Sequence, residues 1–256
     1  MNNHQAEISE YFLAPEPTFP TKRLVFGTIM ILIGFALGST AALVMIGIGA
    51  AVIGLSFLSY NNAKRRFEAR PSDEQMDTWL SEYLQRICDQ DAIQKLGLDQ
   101  SDLRRQSLVI PGPVYWPVNG LNTDEVIRRL GKDGCYRYSV LNLEVFLFLK
   151  DYLANYGCTY NWLRNTSVNE HTNEFFYKDV VSIKAANEST AYTLKDGQRL
   201  EHTQVFQLNL SGDRVSVVTN DIQLKTSPSL TGRVDTSVQS IRAMLREKKA
   251  SAAAAI

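Results

Sequence analysis

The chain has 256 residues, and its 27 Lys+Arg are balanced by 27 Asp+Glu. Zero net charge leaves no basic footprint for nucleic acid, and 45% hydrophobic with 21% charged residues excludes a disordered chain. The average conceals one asymmetry: residues 24–60 carry no charged side chain.

Residues 1–22 are polar, and Lys22 and Arg23 then open the apolar run. A single helix from Leu24 to Tyr60 would be ~55 Å long, against a hydrocarbon core of ~30 Å. Two spans joined at Gly38-Ser39-Thr40 fit better, so residues 23–60 are predicted to form a two-helix transmembrane hairpin with the lipid bilayer as partner. Lys22 and Arg23 precede it, and Lys64, Arg65, Arg66 and Arg70 follow it. Lys/Arg excess marks the cytoplasmic side, so both termini are expected there, with the chain in the cell membrane as a two-span protein anchored by Lys22, Arg23, Lys64, Arg65 and Arg66. Cleavage as a signal peptide at Ala36-Leu37-Gly38 is the competing reading. Glu7, Glu10 and Glu16 in a long preceding stretch, and the apolar run left afterwards, argue against it. Small residues let helices approach closely in lipid, which singles out Gly34, Gly38, Gly47 and Gly54 as helix-packing candidates. They serve either the two spans of one hairpin or a homo-oligomer of hairpins. No ionisable residue lies within the run, so nothing supports a proton relay.

Residues 61–71 read as a basic juxtamembrane linker. Within 72–131, Ser72 and Gln75 predict a capping box, and Met76, Trp79, Leu80, Tyr83, Leu84 and Ile87 form one apolar helical stripe. Interfacial helices carry Lys/Arg on their polar face, whereas this one carries Asp73, Glu74, Asp77, Glu82, Asp89 and Asp91. Its stripe is therefore expected to pack on the domain that follows, Trp79 included, with a partner-binding helix as the alternative.

From Leu108 the period changes to two. Pro111 and Pro113 make 108–116 an edge strand or extended arm. Asn122 and Glu125 suggest a short helix ending at Gly131. Residues 132–249 read as a β domain with a C-terminal helix, and 250–256 as a frayed tail. Tyr152–Leu163 alternates for twelve residues, placing Tyr152, Tyr156, Tyr160 and Trp162 on one face. Such a row either lines a ligand pocket or belongs to the core. Residues 164–173 read as a polar loop, 174–189 as a strand bent near Asp179, and 221–232 as a loop before a helix capped by Asp235 or Thr236.

Cys88, Cys135 and Cys158 are too widely spaced for a metal knuckle, and His4, His171 and His202 are scattered. No Walker loop, GxGxxG, GxSxG, HExxH or CxxC occurs, so the reading is of a non-enzyme with no catalytic residue, cofactor or metal.

The run YGCTYNW, EFFYKDVVSIKA, VFQLNLSGDRVSVV and the helix SIRAMLREKK resemble a bacterial pleckstrin-homology-like (PH-like) domain over residues 135–249. That resemblance implies a bent antiparallel barrel or sandwich closed by the C-terminal helix. The matching region offers only Arg164 and Lys178, so phosphoinositide binding is not carried over. In architecture alone, two spans followed by a cytoplasmic β-barrel resemble membrane-disrupting effectors of bacterial anti-phage signalling, which implies a bacterial inner membrane. The expected fold is thus a membrane-anchored α+β protein: transmembrane hairpin, amphipathic helix, then a mostly antiparallel β barrel or sandwich. The expected function is a membrane-tethered cytoplasmic binding or scaffold module for a protein, peptide or small ligand. The alternative is a ligand-triggered effector whose hairpins oligomerise and disrupt the bilayer.

Overall fold

The computed structural model describes residues 4–37, 40–194, 197–221 and 223–254. The chain divides into two units, Met1–Ile8 with Ser72–Ile256 and, separately, Ser9–Pro71. Helix α1 (Gln5–Leu13) begins in the first unit, so the expected polar tail is helical from Gln5. Gln5 Nε2 donates to the carbonyls of Trp162 (2.8 Å) and Leu163, and the His4 ring stacks on Trp79 at 4.2 Å.

The second unit is built on α2 (Thr21–Leu37) and α3 (Thr40–Glu68). The helices pack backbone to backbone. A Cβ on Gly27 would stand 2.9 Å from the Gly49 carbonyl, and one on Gly34 would stand 2.7 Å from Ile46 Cγ1. Gly47 and Gly54 face open space, and Gly38 and Ser39, where the two spans were expected to join, lie outside the described residues. Gly27 and Gly49, rather than Gly47 and Gly54, therefore set the approach of the two helices. Thr28 and Ser56 hydroxyls turn back on the Leu24 and Val52 carbonyls of their own helices (2.9 and 2.6 Å). Among the described residues, Ala42–Lys95 contains the one stretch of helix long and apolar enough to cross a membrane. The 17 residues of α2 make it about 25 Å long, short of the ~30 Å core, so only one of the two expected spans meets that requirement. The expected linker at 61–71 is helical as far as Glu68, because Asn61-Asn62-Ala63-Lys64 contains no helix breaker.

In the first unit, α4 (Asp73–Arg86) opens with the capping box Ser72/Gln75. A π turn (Ile87–Asp91) and α5 (Ala92–Lys95) follow. Strands β1 (Leu108–Pro113), β4 (Val140–Phe148), β5 (Tyr152–Asn161) and β6 (Thr166–Phe176) form one antiparallel sheet in the order β1-β4-β5-β6. Between them, β2 (Arg128–Leu130) pairs with β3 (Tyr136–Tyr138). Strands β7 (Val180–Thr193), β8 (Arg199–Leu210) and β9 (Arg214–Asp221) form a third sheet, and α6 (Pro228–Ala254) ends the fold. The core is shared by Phe146 and Leu153 of the first sheet, Phe206 and Val217 of the third, and Val238 and Ile241 of α6.

The sheets do not close into a barrel, and β1 shows why. The Val114 N–H donates to the Val140 carbonyl at 3.2 Å, so even-numbered positions of β1 turn their backbone groups toward β4. Pro111 and Pro113 stand at outward positions and have no N–H to offer. The Val109 carbonyl, also outward, accepts the Ser237 hydroxyl of α6 at 3.0 Å. The β1 edge still comes close to β9: a Cβ on Gly112 would run into the Val218 carbonyl.

Three expected elements differ. The loop at 164–173 is largely β6, an edge strand whose mostly exposed side chains give no apolar alternation. The helix expected before Gly131 is a 3₁₀ turn at Thr123–Glu125, after which Arg128–Leu130 is strand. Helix α6 starts at Pro228 rather than near Asp235, with Ser227 accepting the Thr231 N–H, and it runs on through 250–254 of the expected frayed tail.

Candidate functional site

Beyond β1 the chain leaves the strand at Val114 and bends at Trp116. Tyr115 and Trp116, held between Pro113 and Pro117, reach the ends of β2 and β7 there. With Thr123, Val126, Ile127, Arg128, Tyr192, Thr193 and Leu194 they line a cleft of about 400 Å³. That lies within the range of small-ligand sites. Tyr115 meets Trp116 edge-on (4.9 Å, 86°) and Tyr192 tilted (6.0 Å, 54°), so neither contact covers a ring face by stacking. Arg128 is the one charged side chain lining the cleft among the described residues. Its Nη2 donates to Gln198 Oε1 at 3.0 Å and its guanidinium lies 4.8 Å from the Tyr136 ring centroid, which fixes the charge in place.

Behind Tyr115 lies a fully buried carboxyl, Asp221. Asp221 Oδ1 accepts the Gln223 N–H at 2.8 Å, while Oδ2 and the Tyr115 hydroxyl have no hydrogen bond of good geometry. Burial raises the Asp221 pKa, and burial with the nearby Asp221 raises that of Tyr115. Burial likewise pushes the neighbouring Tyr138 up to about 12. Tyr115 is therefore a neutral phenol in the wall of the cleft, able to donate but not to act as a base.

The three aromatics of β5 and Trp162 just after it lie elsewhere. Tyr156, Tyr160 and Trp162 are each 2% exposed, Tyr152 is half-buried, and none lines the cleft. Part of their face is covered by α4, where Tyr83 stacks on Tyr160 at 4.0 Å and 15°. The Tyr160 hydroxyl donates to Asn165 at 2.7 Å. That of Tyr156 donates to Glu170 at 2.9 Å, whose carboxylate is paired with Lys95 at 2.6 Å and held below its ordinary pKa by that bond. What fastens α4 is Arg137, 5% exposed, whose guanidinium bonds Asp77 (2.8 and 3.0 Å) and Asp133 (3.0 and 3.2 Å). Asp73 stands 3.7 Å from the same group, and Gly131 leaves the room it occupies. The acidic face of the helix is thus in part a socket for one arginine. Trp79, expected in the buried stripe, is half-buried beside His4.

The opposite face of β5 is polar and equally covered. Asn155 donates to Glu144 at 2.9 Å, and Glu144 approaches His171 Nε2 at 3.5 Å. The imidazole lies over Gly157, where a Cβ would collide with it. The bond to Glu144 raises the His171 pKa. A β-bulge between Gly157 and Thr159, with Asn169 at φ 54°, brings His171 to this place. Cys88, Cys135 and Cys158 are buried free thiols, and burial pushes Cys158 up to about 11.

The cleft residues were not evident from the sequence. The one local sign was Tyr115-Trp116 flanked by Pro113 and Pro117, an aromatic pair outside any alternation. Arg128 and Tyr192 join it only through the fold. No protein-family model, curated protein or solved structure matches the chain.

Proposed function

We propose that the chain is a membrane-tethered cytoplasmic binding module whose cleft at Tyr115, Trp116, Arg128 and Tyr192 takes a small ligand. The carrying observation is that cleft: about 400 Å³, walled by unstacked aromatic rings, with one immobilised cation. The tether is supported by the apolar side chains that α2 and α3 leave exposed, Phe35 at 72% and Leu43 at 75% among them. It is supported also by the hydroxyls of Thr28 and Ser56, which are satisfied within their own helices. The path of the chain supports two spans rather than one in this reading. Residues before Ser9 and after Pro71 belong to one unit, so an even number of crossings separates them. The bilayer thins to accommodate the short α2. Lys22 and Arg23 at the start of α2 and Lys64 to Arg66 at the end of α3 then mark the cytoplasmic side. The PH-like reading of residues 135–249 draws on the paired sheets with α6 packed into their shared core.

Two measurements on the full chain test this. In intact cells, a cysteine at Ser39 in a cysteine-free background reacts with an impermeant maleimide, while cysteines at Asn3 and Ser251 do not. Labelling at Asn3 but not Ser251 breaks the two-span tether. Native mass spectrometry of protein released from nanodiscs shows a bound mass in the wild type that Trp116→Ala lacks. Identical spectra remove the cleft as the binding site.

A second reading, the ligand-triggered effector, is favoured by Gly47 and Gly54, which present a close-approach surface on α3 that α2 leaves uncovered. Inter-chain cross-linking at Gly47→Cys that rises with cleft occupancy supports it; cross-linking indifferent to occupancy, or absent, counts against it.

A further inference from the structure

We propose that the polar end of the helix pair α2–α3 holds a membrane lipid: a cavity there takes the headgroup of an anionic phospholipid, its phosphodiester on Lys22 and Arg23. The cavity shares no residue with the cleft at Trp116 and lies within the unit Ser9–Pro71. The inference takes α2 and α3 to lie in lipid, and it adds a binding site to them. Three observations carry it.

First, the cavity stands at the level of lipid headgroups. It measures about 620 Å³, and the described residues that line it come from 15–23 and 56–63. The uncharged run 24–60 begins where the first stretch ends and finishes within the second, so the cavity marks the border between apolar and polar chain. Tyr60 in its wall is of a residue type that favours that layer. Second, the charge fits. Lys22 and Arg23 are exposed, and among the described residues neither makes an ion pair or a side-chain hydrogen bond. Glu16, the one acidic lining residue there, makes none either, so it is not their contact partner. Two cations less one carboxylate leave the lining one positive charge in excess, which a singly charged phosphodiester balances. Glu16 is suited to accept from a headgroup hydroxyl, whereas a choline headgroup has no donor and would add a cation to the excess. Third, the segment that carries these charges is held in advance. Pro15, Pro17 and Pro20 fix its backbone, and the Thr21 N–H donates to the Phe19 carbonyl at 2.8 Å. The Phe19 ring stands edge-on to Tyr60 (5.4 Å, 78°) and Phe57 (6.2 Å, 88°) of α3. A wall fixed before the lipid arrives loses little freedom on binding. Lys64, Arg65 and Arg66 are basic too, but they do not line the cavity.

The test titrates the full chain in nonionic detergent with phosphatidylglycerol, with phosphatidylcholine of the same acyl chains and with inorganic phosphate, and reads bound mass by native mass spectrometry. Saturable binding of one phosphatidylglycerol is expected, about ten-fold tighter than phosphatidylcholine, with no displacement by inorganic phosphate. Lys22→Gln with Arg23→Gln weakens phosphatidylglycerol by about ten-fold or more. Arg65→Gln with Arg66→Gln removes the same charge outside the cavity and leaves binding little changed. Ala63→Trp fills the cavity without altering charge and weakens binding as the first pair does. Helix content by circular dichroism separates lost binding from lost folding, and the wild-type ranking of the three probes stands without any variant. Equal losses in the two double variants would reduce the effect to surface charge and overturn the site, as would undiminished binding by Ala63→Trp. Phosphatidylcholine bound as tightly as phosphatidylglycerol overturns the anionic class. Inorganic phosphate that displaces the lipid makes the ligand a soluble phosphate and overturns the lipid. The placing of α2 and α3 in the membrane is judged separately, by the maleimide labelling.

Discussion

The molecule has two aromatic groups that look alike as residue lists and behave oppositely as structures. On β5 and just past its end, Tyr156, Tyr160 and Trp162 are buried, with Tyr160 stacked on Tyr83 of α4 and the hydroxyls of Tyr156 and Tyr160 given to Glu170 and Asn165. At the cleft, Tyr115 meets Trp116 edge-on and Tyr192 tilted, and all three residues line a cavity. Regular alternation along a strand places rings in register for packing by a neighbouring element. Rings that reach one place from two separate segments are not set in register to cover one another. An orderly row is therefore a sign of core, and an irregular convergence is a better sign of a site.

The largest expected effect tests that distinction directly. Tyr160→Ala removes a fully stacked buried ring and should lower the stability of the full chain by about 4 kcal/mol, followed by near-UV circular dichroism in nanodiscs. Trp116→Ala, at a half-exposed ring, should cost no more than about 1 kcal/mol. Equal losses at the two positions would dissolve the comparison. A smaller effect is expected at Arg137, because the β5 row is core only while α4 covers it. Arg137→Ala leaves Asp77 and Asp133 without their cation and should cost about 3 kcal/mol. The pH dependence carries a signature. Arg137 holds Asp133 down at about 2, so the stabilisation is present above the ordinary aspartate pKa of ~3.9 and is lost as pH falls toward 2. The wild type should show that acid limb and the variant should not; a limb unchanged in Arg137→Ala places the titration elsewhere.

The smallest effect concerns the other face of β5. Glu144 raises the His171 pKa, so their contact contributes below ~6.5 and is lost as pH rises through the raised value. Glu144→Gln should move the imidazole titration, read by NMR, down toward its ordinary position. The half-exposed histidine makes any change in the unfolding midpoint slight. An imidazole that titrates at the same pH in the variant would show that Glu144 is not its partner.

Legibility in the sequence followed the same division. The capping box at Ser72/Gln75, the stripe from Met76 to Ile87, and the strands around β4, β5, β8 and β9 could be read because each is a periodic pattern generated by one neighbour. Strand β6 could not, because an edge strand exposed on both faces carries no hydrophobic period; Asn165 at φ 53° and Asn169 at φ 54° were its only local marks. Ser227-Pro228 was a readable helix start that the polar composition of 221–232 obscured. Of the glycines singled out on α2 and α3, Gly34 packs against Ile46 as expected, whereas Gly47 and Gly54 face open space. Which face of α3 meets α2 depends on the rotation of two helices, and no single-helix pattern encodes it. The cleft was least legible of all, since Arg128 lies 12 residues from Trp116 and 64 from Tyr192.

The bond from Gln5 to the carbonyls of Trp162 and Leu163 joins residues 157 and 158 positions apart. On the ribosome, the start of the chain must therefore wait through the synthesis of α2, α3, α4 and β5 before its own docking surface exists. The making of α2 and α3 and the completion of β5 are ordered events, and Gln5 can dock only after them. A nascent chain halted anywhere before residue 162 leaves that bond unmade, whatever its helices have already done.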